Sequence, residues 1–464
     1  MERERGIVTT VVKTEVALVG HLMRRAGFGL PAYKLEELAE KSYDAVVDDL
    51  VDYEKFEPVE LDLAERYHSE HADGEGWMPL LITYRMINSQ RPLQEKTALM
   101  WHGVFATGTA KVTNGPLMKQ HYEMLRDFAL NNFSDILKRL SRDPAMLFWL
   151  DQQMNHGVAV NENWGRELLE LFSLGVGNYT EDDVRDCARA YTGWTLDQVI
   201  PRYPFGQQGG SFVFREDDHD DGQKTFLGHT GDFNGDDIVN IIVDQPAAAQ
   251  FIGREVHKYF VSDQPIQEEI DFIAKAYTDN NHEIREVLRA LFKSDFFKNS
   301  RFNRIQSPIE FVVGTIKQTG EYEDPYEYGL YSLPRNAMLM GQQLLNPPTV
   351  EGWHTGREWI DSALLMERVN FAVERVGNAH TPGVRQMIDR IRVGRDWITQ
   401  EQLLDAVLYE MGALELVSKS RKVILEELPG ESDIQCDESN AVQFDATAVE
   451  VFQLIAAASD YQLN

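Results

Sequence analysis

Cysteine is nearly absent: Cys187 and Cys436 are the only two in 464 residues. So sparse a set rules out a disulfide framework and a four-cysteine zinc ribbon, and it suits a reducing compartment. No stretch approaches about 18 uninterrupted apolar residues, which argues against a membrane-spanning helix. The opening MERERGIVTTVVKTEVALVG lacks the long apolar core and small-residue cleavage site of a signal peptide. With the two lone thiols, this makes a cytoplasmic protein the expectation. Basic charge is also scarce: 45 Lys and Arg stand against 75 Asp and Glu, for a formal net charge of -30. Nucleic acid repels such a chain unless basic residues gather on one face, and no basic run is present. The acidity therefore serves solubility or suits a salty cytoplasm. HExxH, GxSxG and GxGxxG are missing too, which withdraws support from a zinc protease, a hydrolase elbow and a dinucleotide fold.

What remains is ordinary globular composition, 43% hydrophobic and 26% charged, in a chain long enough for two or three lobes. Apolar spacing near 3.6 recurs over roughly 14–41, 76–107, 115–142, 144–152, 162–175, 181–193, 246–260, 267–294, 307–319, 361–377 and 400–425. Asp143 before Pro144 reads as an N-cap and first helical residue, and Thr180 as the cap of the next helix but one. Strand patterns are few, with Ser211–Phe214 the clearest. The expected fold is mainly α, a multi-helix orthogonal array with a long loop or small hairpin excursion near 195–235. The body spans 1–425, as one unit or as two lobes divided near 195–245. An acidic linker at 426–445 and a C-terminal helix at 446–464 that docks on the body complete it.

Three polar clusters carry the candidate chemistry. In Asn161–Phe172, helical spacing sets Trp164, Leu168, Leu171 and Phe172 on one stripe and Asn163, Arg166, Glu167 and Glu170 on the other. The second stripe is either a solvated face with an Arg166–Glu170 pair or a carboxylate pair beside a cleft, able to ligate a metal or divide acid and base roles. His219–Gly228 alternates charge along a Gly-punctuated loop. It is not a Walker loop, because Gln223 and not Gly precedes Lys224. Phosphate cradling by analogy with anion nests is the functional reading left to it. In 231–240, Asp232, Asn234 and Asp236 follow the start of a calcium loop, but Asp237 replaces its glycine and Val243 its closing carboxylate. The other reading is an acidic cap on the helix that follows. His102 lies in an apolar segment and reads as a satisfied core histidine.

Read in chain order, the segments resemble one family. They are His21-Leu22 with Arg25–Gly29, Met100–His102 with Phe105–Thr107, Asn161–Asn163 with Gly165–Phe172, and Tyr179–Glu181 through Thr192–Trp194. His219-Asp220 to Asp236-Asp237, Ser307–Phe311, Pro347-Pro348 with Gly352-Trp353, and Tyr461–Leu463 follow. Together they resemble the family known as domain of unknown function 1800, and they do so along nearly the whole chain. The resemblance implies a mainly helical bacterial protein of no established biochemical activity. It also implies a protein partner, since such proteins are often encoded beside a family that looks like sulfatases and alkaline phosphatases. Relatives are often exported, whereas the export signal is missing here. Relatives commonly carry a second histidine three residues after the position of His102, where this chain has Phe105.

The leading expectation is a helical binding or accessory protein that acts in a complex with a partner enzyme of sulfatase-like or phosphatase-like kind. The first alternative is a hydrolase or transferase acting on phosphorylated, sulfated or sugar substrates, with or without a divalent metal. Its catalytic groups would be Glu162, Arg166, Glu167, Glu170, His219 and Asp220, its ligand-binding groups Asn161, Asn163, Lys224 and Thr225, and its metal candidates Asp232, Asn234 and Asp236. The second alternative is a structural assembly subunit. The enzyme and ligand readings expect the 161–170 helix to face the 219–225 loop across a polar pocket.

Overall fold

The computed structural model describes residues 2–68, 77–197, 210–428 and 433–464, with side chains from residue 14 onward. Part of the expected excursion (198–209) and part of the expected acidic linker (429–432) lie outside the described residues. Twenty-three α-helices account for most of the described chain, so the fold is mainly α. None of these helices is long and apolar enough to cross a membrane. The three sheets among the described residues are two-stranded and antiparallel. β1 (Trp194–Asp197) pairs with β2 (Ser211–Phe214), and β3 (Lys224–Phe226) pairs with β4 (His229–Gly231). Both lie in the expected excursion. A third pair does not: β5 (Trp397–Thr399) joins β6 (Asp433–Gln435). Three-residue strands are too short to show a period of two, which is why the sequence pattern misses them.

Helix ends follow local chemistry. Asp143 accepts a hydrogen bond from the Met146 N–H at 2.9 Å, ahead of Pro144. Thr180 and Asp183 form a reciprocal capping box at the start of Glu181–Ala190. Several long periodic stretches are broken in two. The stretch 267–294 becomes Gln267–Asp279 and Ile284–Lys293 because Asn281 and His282 adopt φ of 49° and 68°. Left-handed residues end a helix. The periodicity reads through such a break because both halves bury an apolar face.

The chain forms two compact units. The first comprises Met1–Leu93, Phe292–Gln343 and His354–Asn464, and its hub is helix Pro308–Thr319. That helix is buried on nearly all sides and packs on helices Trp77–Asn88, Ser332–Leu339, Ser362–Val376 and Pro382–Arg392. Glu310 on the hub takes both Arg304 guanidinium nitrogens, at 3.0 and 2.8 Å, and the Ser307 N–H at 2.8 Å. Cys436, in the same unit, is buried, as is Cys187 in the other, and both thiols are free.

The second unit comprises Gln94–Leu291 and Leu344–Trp353. A chain of rings runs through its core. Trp101 stacks on Phe105 (centroids 5.0 Å), Phe105 meets Phe172 edge-on (5.6 Å), and Phe172 touches Trp164 (6.1 Å). Trp164 meets Tyr191 (5.7 Å), Tyr191 meets Trp194 (5.0 Å), and Trp194 meets Phe212 (5.0 Å).

The Arg304–Glu310 pair yields a test. Both side chains are almost wholly buried, and Glu310→Gln removes the charge that binds both guanidinium nitrogens. We expect a loss of about 3–5 kcal/mol, against no more than about 1 kcal/mol for Asp62→Asn in the exposed Asp62–Arg66 pair. Urea titration of the two variants, followed by far-UV circular dichroism, makes the comparison.

Candidate functional site

Between the β1–β2 hairpin and the loops on either side of β3–β4, the second unit forms an open cavity of about 500 Å³. Alternation along β2 places Phe212 and Phe214 on one face, and the register sets Trp194 of β1 opposite Phe214. These three rings form the apolar wall. Arg142, Glu216, His219, Asp221, Asp232, Asn234 and Asp236 supply the polar lining. Two glycines let the walls approach. Gly193, at φ +77°, lies against the Arg215 carbonyl where a Cβ would collide, and a Cβ on Gly235 would enter the Tyr191 and Trp194 rings.

Arg142 holds Asp236 in a bidentate pair, with Nη1···Oδ1 at 2.8 Å and Nη2···Oδ2 at 2.7 Å. Its guanidinium carbon sits 4.5 Å from the Trp194 ring centre and 5.5 Å from that of Phe212, in cation–π geometry. Nδ1 of His219 lies 2.8 Å from the Thr192 carbonyl oxygen. A carbonyl only accepts, so Nδ1 is the donor there, and in the neutral ring Nε2 is the acceptor. The ring packs edge-on against Phe214, with centroids 5.4 Å apart. Among the described residues, no side-chain hydrogen bond or ion pair engages Glu216 or Asp221.

The other loop candidates are held by helix Glu181–Ala190, whose Asp183, Asp186 and Arg189 recur at three-residue spacing. Arg189 clasps Asp220 through Nε (2.7 Å) and Nη2 (3.2 Å). Asp186 accepts the Thr225 N–H at 2.7 Å, and Asp183 the Leu227 N–H at 2.7 Å. Nζ of Lys224 is buried on the carbonyls of Asp220 (2.5 Å) and Gly222 (3.0 Å), 3.6 Å from Asp232. The Thr225 hydroxyl meets that of Thr230 at 3.2 Å.

The Asn161–Phe172 candidates have a different environment. Helix Asn163–Glu170 buries Trp164, Gly165, Leu168 and Leu169, and Phe172 is buried just beyond it. Arg166 binds Glu181 through both nitrogens (3.0 and 2.7 Å) and Glu162 at 3.3 Å, so its partner one turn away is Glu162 and not Glu170. Glu170 accepts the Tyr179 hydroxyl at 2.5 Å. Asn161 accepts the Asn163 N–H at 3.0 Å. Burial first, then Glu170, raises the pKa of Glu167 above the usual carboxylate range, although Arg166 opposes them. The cavity takes none of its lining from 161–170. Of the two clusters expected across one pocket, the loop therefore contributes His219 and Asp221, and Glu162, Arg166 and Glu170 of the other engage partners outside it.

The calcium-like oxygens have other roles. Asn234 caps helix Gly235–Val243 in a capping box with Asp237, and Asp236 belongs to Arg142. Among the described residues, no three His, Cys, Asp or Glu side chains converge as a metal-holding group. His102 is not alone in the core: its ring centre lies 6.4 Å from that of His121, whose Nδ1 is 2.8 Å from Asp143 Oδ1. His102 Nε2 accepts the Leu345 N–H at 3.0 Å, and burial, followed by His121, pushes its pKa down to about 3. Arg142, Trp194, Phe212, Phe214, Glu216 and Asp221 are the site residues that sequence reasoning missed. The signals for them were the alternation in Ser211–Phe214 and, for Asp221, its place in the His219–Gly228 loop.

A family model described as Protein of unknown function (DUF1800) matches residues 21–463. No curated protein and no solved structure matches the chain.

Two carboxylates give opposite pH signatures. The Arg189 hydrogen bonds hold the Asp220 carboxyl below the usual range. Its folded pKa is lower than its unfolded one, so its contribution is present above the ordinary aspartate pKa and is lost as pH falls. Glu167 is raised, so its contribution is present below the ordinary glutamate pKa and is lost as pH rises through the folded value. We expect Asp220→Asn to be less stable than wild type at neutral pH and to lose less on acidification, and Glu167→Gln to flatten the decline from acid to neutral pH. Thermal melts from pH 3 to 8 check both signs.

Proposed function

We propose, for a chain that belongs to the DUF1800 family, a helical binding protein that takes its ligand in the Trp194–Phe212–Phe214 cavity and acts as an accessory to a partner enzyme in the cytoplasm. The observation that carries this reading is the cavity itself. An aromatic wall, unpaired carboxylates and an imidazole lone pair line one space of ligand size. Supporting it, Glu162, Arg166, Glu170 and Asp220 are already engaged in ion pairs or hydrogen bonds that hold helices and loop together. A partner of sulfatase-like or phosphatase-like kind remains the form of complex we favour.

A second reading, hydrolase or transferase, draws on one observation: His219 is held as the Nδ1–H tautomer, so Nε2 is a candidate general base within the cavity. Phosphate and sulfate esters suit this cavity poorly. Its lining carries four carboxylates and one guanidinium, and that guanidinium is already paired. A sugar substrate fits better.

Capture of the intact protein from its own cells, followed by mass spectrometry, tests the binding role. We expect a defined partner with wild type, lost or weakened at least tenfold by Phe214→Ala or His219→Ala while the melting temperature stays within about 5 °C. Recovery of the same partner at wild-type level by both variants would overturn a role for the cavity. A glycoside turnover that His219→Ala abolishes would favour the enzyme reading.

A further inference from the structure

We infer that the ligand of the Trp194–Phe212–Phe214 cavity is an organic cation, carrying a primary amine or a guanidinium. This inference rests on the binding reading above and adds the ligand's charge and donor chemistry to it.

The lining decides the sign. Glu216, Asp221, Asp232 and Asp236 are four carboxylates against the single guanidinium of Arg142. Asp236 is neutralised by its bidentate pair, and Asp232 has the Lys224 ammonium 3.6 Å away. Glu216 and Asp221 keep their charge without a side-chain partner among the described residues. An anion entering here meets uncompensated negative charge. A neutral ligand must desolvate two carboxylates with no charge to offset them. A cation gains attraction to both, the more so as water leaves the cavity and the local dielectric falls.

The lining also decides the hydrogen-bonding character. Among the described residues, the free groups of the lining are mostly acceptors: two carboxylates and, in the neutral ring, the His219 Nε2 lone pair, beside the side-chain N–H groups of Asn234. They call for a donor-rich head, which favours N–H-bearing cations over a quaternary ammonium. The aromatic wall supplies a third, independent indication. Arg142 already lies over Trp194 and Phe212, so the protein itself places a guanidinium against these rings. Phe214 lies on the same strand face with 42% of its surface exposed, and among the described residues no such cation lies over it. A ligand cation over Phe214 would repeat that geometry beside Glu216 and Asp221. The net charge of -30 steers cations toward the molecule as a whole.

Isothermal calorimetry on the full chain provides the test, with agmatine as the cation because it carries both an amine and a guanidinium. Glucose is the neutral probe and citrate the anionic one. We expect agmatine alone to bind. Glu216→Gln and Asp221→Asn should each weaken it about tenfold, Phe214→Ala should do the same, and 0.15 M salt should weaken it relative to 0.01 M as screening shortens. Glu216 and Asp221 are exposed, so these substitutions leave the fold intact, and a melt confirms it. The control is Glu57→Gln, which removes one exposed charge in the other unit. An equal loss with Glu57→Gln would mean diffuse attraction and overturn the inference. Glucose binding that Phe214→Ala abolishes, with agmatine silent, would overturn the cation while leaving the binding reading in place. Silence from all three probes, with partner capture still dependent on Phe214 and His219, would do the same.

Discussion

Trp164 lies between Phe172 and Tyr191, and the second unit is organised around that contact. The ring chain from Trp101 to Phe212 crosses helix Pro92–Val104, helix Asn163–Glu170, the end of helix Glu181–Ala190 and the first hairpin. Each large ring buries more area than any aliphatic side chain, and the edge-to-face pairs set angles as well as distances. The chain thus fixes where β1 leaves the core. It delivers Trp194 to the cavity wall in edge-type contact with Tyr191 and with Arg142 over its ring. The close approach at Gly235 belongs to the same arrangement, since any side chain there would displace the Tyr191 and Trp194 rings.

Polar groups in this unit follow a similar economy. Helix Glu181–Ala190 presents Asp183, Asp186 and Arg189 on one face, and each holds the 220–227 segment by backbone or carboxylate. The buried ammonium of Lys224 closes the loop on its own carbonyls. A segment rich in Gly and Asp thereby becomes an ordered wall. What the holding network leaves unengaged among the described residues (Glu216, Asp221 and the Nε2 of His219) gives the cavity most of its acceptor character. Residues that hold the loop and residues that line the cavity alternate within a few positions, and chain position alone does not separate them.

Much of this was legible in the sequence. The helical content, the hairpin near 195–235, the Asp143–Pro144 and Thr180 caps, and the apolar stripe of Trp164, Leu168 and Phe172 all follow from local periodicity and capping chemistry. These are interactions between residues a few positions apart. The membership in DUF1800 was likewise readable from motifs in order along the chain. The breaks inside long periodic stretches were not, because left-handed residues such as His282 carry no composition signal.

The site divides the same way. His219 was visible as a polar residue on a punctuated loop, but its tautomer depends on a carbonyl 27 positions earlier. Arg142 carried no signal of its own in the sequence, and folding brings Trp194 and Asp236 to it from 52 and 94 positions away. Helical spacing offered Glu170 as the partner of Arg166, whereas folding pairs Arg166 with Glu181 and Glu170 with Tyr179, both beyond a turn. Sequence by itself determined the elements, their caps and the inventory of charges, because local sterics and hydrogen bonding govern those. Only the tertiary structure decided which charges pair and which remain exposed in a cavity, because that depends on contacts between residues far apart in the chain.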